Sequence, residues 1–117
     1  LVFLRQMDVC HEYSSDYLFG PYTHECEHTF EKNTARMAGM FLTTVDGRLI
    51  RPAQDCFGGY GRAVILYDNH KQICRIEPTS CKYAGVHTFN VFQKSFVIDF
   101  KKYDYPLFYK LRNMLKQ

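Results

Sequence analysis

Asp46-Gly47 stands between two runs of β-forming residues, "GMFLTTV" and "RLIRPAQ". An Asp-Gly pair tolerates positive φ at both positions, so it suits a two-residue type I′ hairpin whose twist matches the strands it joins. The arrangement recurs downstream. "RAVILY" and "QICRIE" flank "DNHK", which predicts a second hairpin with a longer turn, and "VHTFNV" and "SFVIDF" flank "FQK", which predicts a third. "LVFLRQM" and "HEYSSDY" read as two more strands before a Gly20-Pro21 turn. That makes about eight strands with almost no helical periodicity, so the chain is expected to be all-β and antiparallel. Only "YPLFYKLRNMLKQ" departs from this, because Leu107, Leu111, Met114 and Leu115 recur at helical spacing after Pro106. Radially repeated four-stranded blades, a sandwich and a small barrel all satisfy such a string of strands.

The 117 residues suit one small domain, and nine Tyr and ten Phe supply more apolar surface than a disordered segment carries. No apolar run approaches the roughly 18 to 20 residues of a membrane span, so no transmembrane segment is expected. The first residue is Leu1 rather than Met, and the sequence is expected to be part of a longer chain. The formal charge of +3 gathers near the end, where Lys101, Lys102, Lys110, Arg112 and Lys116 face only Asp104. Residues 101–117 therefore read as a basic tail or linker with helical spacing, following a β-rich part over residues 1–100. A footprint this weak gives no reason to expect a nucleic-acid partner.

Cys10, Cys26, Cys56, Cys74 and Cys81 show no CxxC spacing, and their odd number leaves at least one thiol outside any intrachain disulfide set. In "THECEH", His24, Cys26 and His28 recur at every second residue, which on a regular strand puts three metal-ligating types on one face. The same alternation describes an ordinary polar strand face, and that is the reading adopted: no metal and no cofactor are expected.

The most unusual polar stretch is "RLIRPAQD". Alternation puts Arg48, Ile50, Pro52 and Gln54 on one face and Leu49, Arg51, Ala53 and Asp55 on the other, so each face mixes apolar and polar groups. This is not the polar-out pattern of a surface hairpin, and one end is expected to enter a polar cavity or a buried ion-pair network. Pro52 lacks an amide donor, which argues for an edge strand. The glycines of "GGYG" then let the backbone turn sharply or approach a ligand. GxGxxG and GxxxxGK[ST] are missing, which excludes nucleotide binding by those motifs. His87 and Phe89 share one face of "GVHTFN". Asp46, Asp55, Glu77 and Asp99 form no recognisable glycosidase pair, and nothing marks Cys56 as an activated partner for His87. Binding fits these groups better than catalysis.

Three ordered motifs carry a resemblance: Arg36-Met37-Ala38-Gly39, then Arg51-Pro52-Ala53-Gln54-Asp55 with Tyr60-Gly61, then Gly85-Val86-His87-Thr88-Phe89-Asn90. Over about residues 10 to 100 the chain resembles the later part of the five-bladed β-propeller domain at the N-terminus of plant glucosamine inositolphosphorylceramide transferases, which is itself similar to glycoside hydrolase family 43 and 32 propellers. Tyr22 stands where that family has tryptophan, and Met37 where it has proline. The resemblance implies antiparallel four-stranded blades of a partial five-bladed propeller, about two blades, completed by the remaining blades of a parent chain. It also implies a carbohydrate or glycan ligand, with Arg36, Arg51, Gln54, Asp55, Tyr60 and His87 near the central cavity. Arg36 and Arg51 would fork onto a carboxylate or phosphate, or brace Asp55 in the interior. The implied role is an accessory module of a glycosyltransferase, placed in the Golgi lumen if the parent is eukaryotic and otherwise in the cytoplasm. The alternatives are part of a family 43-type hydrolase whose catalytic carboxylates lie upstream, and a structural or protein-binding propeller.

Overall fold

The computed structural model describes residues 2–6, 8–102 and 106–115. The fold is all-β, built from three small antiparallel sheets in chain order and followed by one helix. The first sheet holds β1 (Val2–Gln6), β2 (Val9–Ser14) and β3 (Thr23–Thr29). The second runs β4 (Leu42–Thr43), β5 (Leu49–Asp55), β6 (Ala63–Asp68) and β7 (Lys71–Ile76), each strand beside the next. The third is the hairpin of β8 (Tyr83–Phe92) and β9 (Ser95–Lys102). β3 comes in addition to the eight strands counted from the sequence; its "THECEH" stretch read only as a polar strand face, and pairing with β2 fixes it as a strand.

The second sheet sits between the other two, and this explains the mixed faces of "RLIRPAQD". On one side Ala53, Ile65 and Tyr67 form a buried cluster, and Arg51 reaches Phe30 and the carbonyl of Thr34, just beyond β3. On the other side Val64 packs with Ala38 and Val86, joined by Leu66, Ile76, Phe89 and Ile98. Ile50 through Asp55 are all buried in consequence, while Leu49 at the strand's start is 56% exposed. A strand covered on both faces cannot alternate in burial.

The turns differ in detail from expectation. Asp46 does not have positive φ, so the first hairpin is not type I′. Gly47 donates to the Thr44 carbonyl at 2.9 Å and adopts φ 81°, and Thr44 donates to the Arg48 carbonyl at 2.9 Å. This is a three-residue loop with glycine in the left-handed position, the next commonest hairpin solution. The second hairpin is tighter than expected: Asp68 pairs with Lys71, leaving Asn69 and His70 as the loop, with Asn69 at φ 52°. Asparagine tolerates that conformation because its short amide bonds locally. The third turns at Gln93 and Lys94.

Pro52 is not on an edge strand, since β5 lies between β4 and β6. Its carbonyl accepts from Ala38 N–H at 2.9 Å, so the missing donor faces the 36–38 segment and the ladder to β6 loses nothing. A bridge between Met37 and Ala53 extends β4 backwards along β5 past an irregular step at Gly39 to Phe41. There β8 crosses closely: Phe89 donates to the Ala38 carbonyl at 2.8 Å, and a Cβ on Gly39 would collide with the Phe89 carbonyl.

Helix α1 (Pro106–Leu115) covers the stretch whose spacing predicts it. Its described apolar side chains are exposed, from 57% at Leu111 to 87% at Leu115. Among the described residues no helix is long and apolar enough to cross a membrane.

Candidate functional site

Four of the six residues expected at a binding site meet where the second and third sheets join. The loop from Cys56 to Gly61 leaves β5, turns with Gly58 at φ 72° and Gly61 at φ 65°, and closes where Arg62 N–H donates to the Asp55 carbonyl at 3.1 Å. Val86 N–H then donates to the Arg62 carbonyl at 3.3 Å, tying the loop to β8. The loop backbone occupies the space a Cβ would need at Gly85, so this approach requires glycine. The result is contact between Tyr60 and His87. Their ring centroids lie 4.9 Å apart, and the Tyr60 hydroxyl is hydrogen-bonded to His87 Nε2.

His87 Nδ1 lies 3.1 Å from Asp99 Oδ2, completing a chain of hydroxyl, imidazole and carboxylate. Partial burial alone would raise the Asp99 carboxyl, but the Thr88 hydroxyl, the Thr88 amide and the His87 ring outweigh it and hold the group below the ordinary carboxylate value. Arg36 is held by β5, since Gln54 N–H donates to its carbonyl at 2.8 Å, and its guanidinium carbon lies 5.0 Å from the centre of the Tyr60 ring. The Arg36 Nε is buried with no hydrogen-bond partner among the described residues. Gln54 donates from Nε2 to the His87 carbonyl at 3.1 Å, so it steadies β8 beneath the ring. Tyr60 remains 48% exposed and Phe57, on the same loop, 65%. From the sequence Asp99 is only one of four carboxylates that form no recognisable glycosidase pair; its partnership with His87 depends on a β8–β9 register shift between Val86 and Thr88 that spacing does not reveal.

Arg51 and Asp55 point to the opposite face of β5. Neither braces the other. Asp55 pairs with Arg75 on β7 at 2.8 Å and accepts the Phe57 amide at 2.8 Å, and Arg75 also bonds Glu77 at 2.8 Å. Arg51 is only 5% exposed, with its guanidinium carbon 3.6 Å from the Phe30 ring centre and 4.9 Å from that of Tyr67. Its Nη1 donates to the Thr34 carbonyl at 2.8 Å, while Nε has no partner among the described residues. Burial without a carboxylate pushes the Arg51 pKa below its ordinary value.

The His24, Cys26 and His28 of "THECEH" do not share one face. A bulge shifts the register between β2 and β3, so that Cys26 pairs with Glu12 but His24, not Glu25, pairs with Tyr13. His24 therefore joins His11 and Glu27 on one face, and Cys26 and His28 join Glu12 on the other. His11 Nδ1 is 3.2 Å from Glu27 Oε1. In the second group His28 Nε2 lies 2.6 Å from Glu12 Oε2 and 3.3 Å from Cys26 Sγ, and the thiol lies 3.4 Å from the same carboxylate oxygen. The hydrogen bond from His28 holds the Glu12 carboxyl below its usual range. Glu12 and His28 line a cavity of about 280 Å³, which Arg51, Asn69 and His70 reach from the second sheet. All five cysteines are free.

Compared with protein-family models, with curated proteins and with solved structures, the chain shows no match, and no family is identified for it on that ground.

Proposed function

We propose that the chain is a carbohydrate-binding module of β-propeller type, with its ligand seated at Tyr60, Arg36 and His87. The observation that carries this reading is the half-exposed Tyr60 ring, flanked by a guanidinium and by a hydrogen-bonded imidazole. A sugar offers both an apolar ring face and a rim of hydroxyls. An aromatic side chain with a polar tip meets the first, and fixed donors and acceptors meet the second. The Tyr60–His87–Asp99 chain supplies those polar groups in a set orientation.

The blade reading is supported by the strand order β4-β5-β6-β7, in which each strand follows its neighbour, and by the packing of one sheet on each of its faces. On this reading β1 to β3 belong to a preceding blade and β8 and β9 to a following one. Arg51, reaching Phe30 and Thr34, then braces adjoining blades, the Asp55–Arg75 pair ties β5 to β7 within one blade, and Arg36, Tyr60 and His87 carry recognition. An accessory role beside a glycosyltransferase is consistent with this geometry.

Glycan-array screening followed by titration calorimetry tests the proposal. A defined carbohydrate is expected to bind, with Tyr60→Ala weakening it by at least tenfold while the circular dichroism spectrum and unfolding midpoint stay within error. Absence of any carbohydrate binding, or binding undiminished in both Tyr60→Ala and Arg36→Ala, overturns it.

A further inference from the structure

We propose that Glu12, Cys26 and His28 form a zinc site on the first sheet, independent of the Tyr60 cluster. Three side chains from two strands converge through one carboxylate oxygen, one thiol sulfur and one imidazole nitrogen. The ladder runs in regular register from Val9–Thr29 to Glu12–Cys26, which sets Cys26 directly opposite Glu12 with His28 one pleat further along the same face, and the bulge beyond it diverts His24.

Donor chemistry points to the metal. Sulfur, nitrogen and oxygen together suit a borderline-soft ion without geometric preference of its own, which is zinc, whereas calcium or magnesium would want oxygen throughout. Geometry agrees. Zinc bond lengths place tetrahedral donors roughly 3.4 to 3.6 Å apart. The sulfur already lies 3.4 Å from the carboxylate oxygen and 3.3 Å from the imidazole nitrogen. The shorter His28–Glu12 separation, 2.6 Å, is that of a hydrogen bond, and it opens when a metal replaces the shared proton.

Three protein donors leave a fourth position. Glu12 and His28 border the cavity of about 280 Å³ between the first and second sheets, so the ion would face space that admits water or a small ligand. Sites with three protein donors and an open position are the kind that bind or activate a small molecule, in contrast to closed four-donor structural sites. The His11, His24 and Glu27 group on the opposite face contains no sulfur, and its His24 and Glu27 are exposed.

Titration of the purified, thiol-reduced protein with zinc, and with cobalt(II) as a spectroscopic substitute, tests this site. Wild-type protein is expected to bind one equivalent and to show thiolate-to-cobalt charge transfer with the visible bands of tetrahedral cobalt. Cys26→Ser should abolish the charge-transfer band and weaken zinc binding more than about 100-fold, since changes outside the ligand shell alone cost 10- to 100-fold. Glu12→Gln, which preserves shape, should weaken binding without removing that band, while Cys74→Ser should leave both readouts unchanged. No stoichiometric binding by wild type, a charge-transfer band that survives Cys26→Ser, or loss of binding in His24→Ala equal to that in Cys26→Ser overturns the assignment. Carbohydrate binding is read separately, so the two proposals fail independently.

Discussion

Arg51 is a buried cation without a counter-charge among the described residues, and replacing it two ways separates what its charge costs from what its shape contributes. Arg51→Met removes one charge-assisted hydrogen bond to Thr34, which contributes about 1.5 to 3 kcal/mol. It also removes the stacking on Phe30 and Tyr67, worth about 2 kcal/mol for a desolvated cation over an aromatic face. Against these, methionine relieves a desolvation penalty of several kcal/mol and an unpartnered Nε worth about 1 to 3 kcal/mol. The two sides nearly cancel, and Arg51→Met should change stability by no more than about 1 kcal/mol. Arg51→Lys keeps the charge in the same place but exchanges a flat, weakly hydrated guanidinium for a compact, strongly hydrated ammonium. That substitution should cost about 2 to 3 kcal/mol, so the nominally conservative change is the more damaging. Urea unfolding of the three proteins, with midpoints compared at a common slope, measures the order. Lysine as stable as arginine, or methionine costing as much as the loss of one partner of a buried ion pair, would refute the reasoning.

Other outcomes follow from the same geometry. Arg75→Met leaves the Asp55 carboxylate, 9% exposed, with only the Phe57 amide among the described residues, and should destabilise by about 1 to 3 kcal/mol in urea unfolding; Asp55→Asn with Arg75→Met should recover part of that. Gly85→Ala forces the backbone of Gly61 and Arg62 away from β8 and should lower the unfolding midpoint more than Gly58→Ala, where the added Cβ meets open space and only positive φ opposes it. Asp99 has a depressed folded-state pKa, so its stabilising interactions are complete above the unfolded value of about 3.9 and are lost as pH falls through the folded one. The stability difference between wild type and Asp99→Asn should therefore shrink as pH drops below about 4, and a difference that grows there would contradict the assignment.

Much of the architecture was legible because strand and turn signals are local. The hairpin strands from "RLIRPAQ" to "SFVIDF" are legible from β-forming composition between turn residues, whereas "GMFLTTV" is a strand only at Leu42–Thr43; the final helix follows from four apolar residues at helical spacing. The turn at Asp46-Gly47 is legible in its place but not in its type. Composition marks where a chain reverses, while the Thr44 hydrogen bonds that enclose a third residue depend on how the strands are paired. At the candidate site, His87 stands out from its own stretch and Arg36 and Tyr60 through the resemblance, whereas Asp99 as the His87 partner and Arg75 as the Asp55 partner do not. Both partners sit on other strands, and their identity depends on register.

The amino-acid order by itself determined that this chain makes antiparallel strands, roughly where most of them begin, and that "RLIRPAQD" could not lie on a wet surface, because these follow from backbone sterics and side-chain polarity within a few residues. Tertiary structure alone decided which face each group serves. One bulge in β3 sends His24 away from Cys26 and His28, and sheets on both sides of β5 send Arg51 and Asp55 one way and Gln54 the other. The physical reason is the two-residue period of a strand: a single inserted residue exchanges its faces, and nothing in the local sequence records whether the partner strand accepts that insertion.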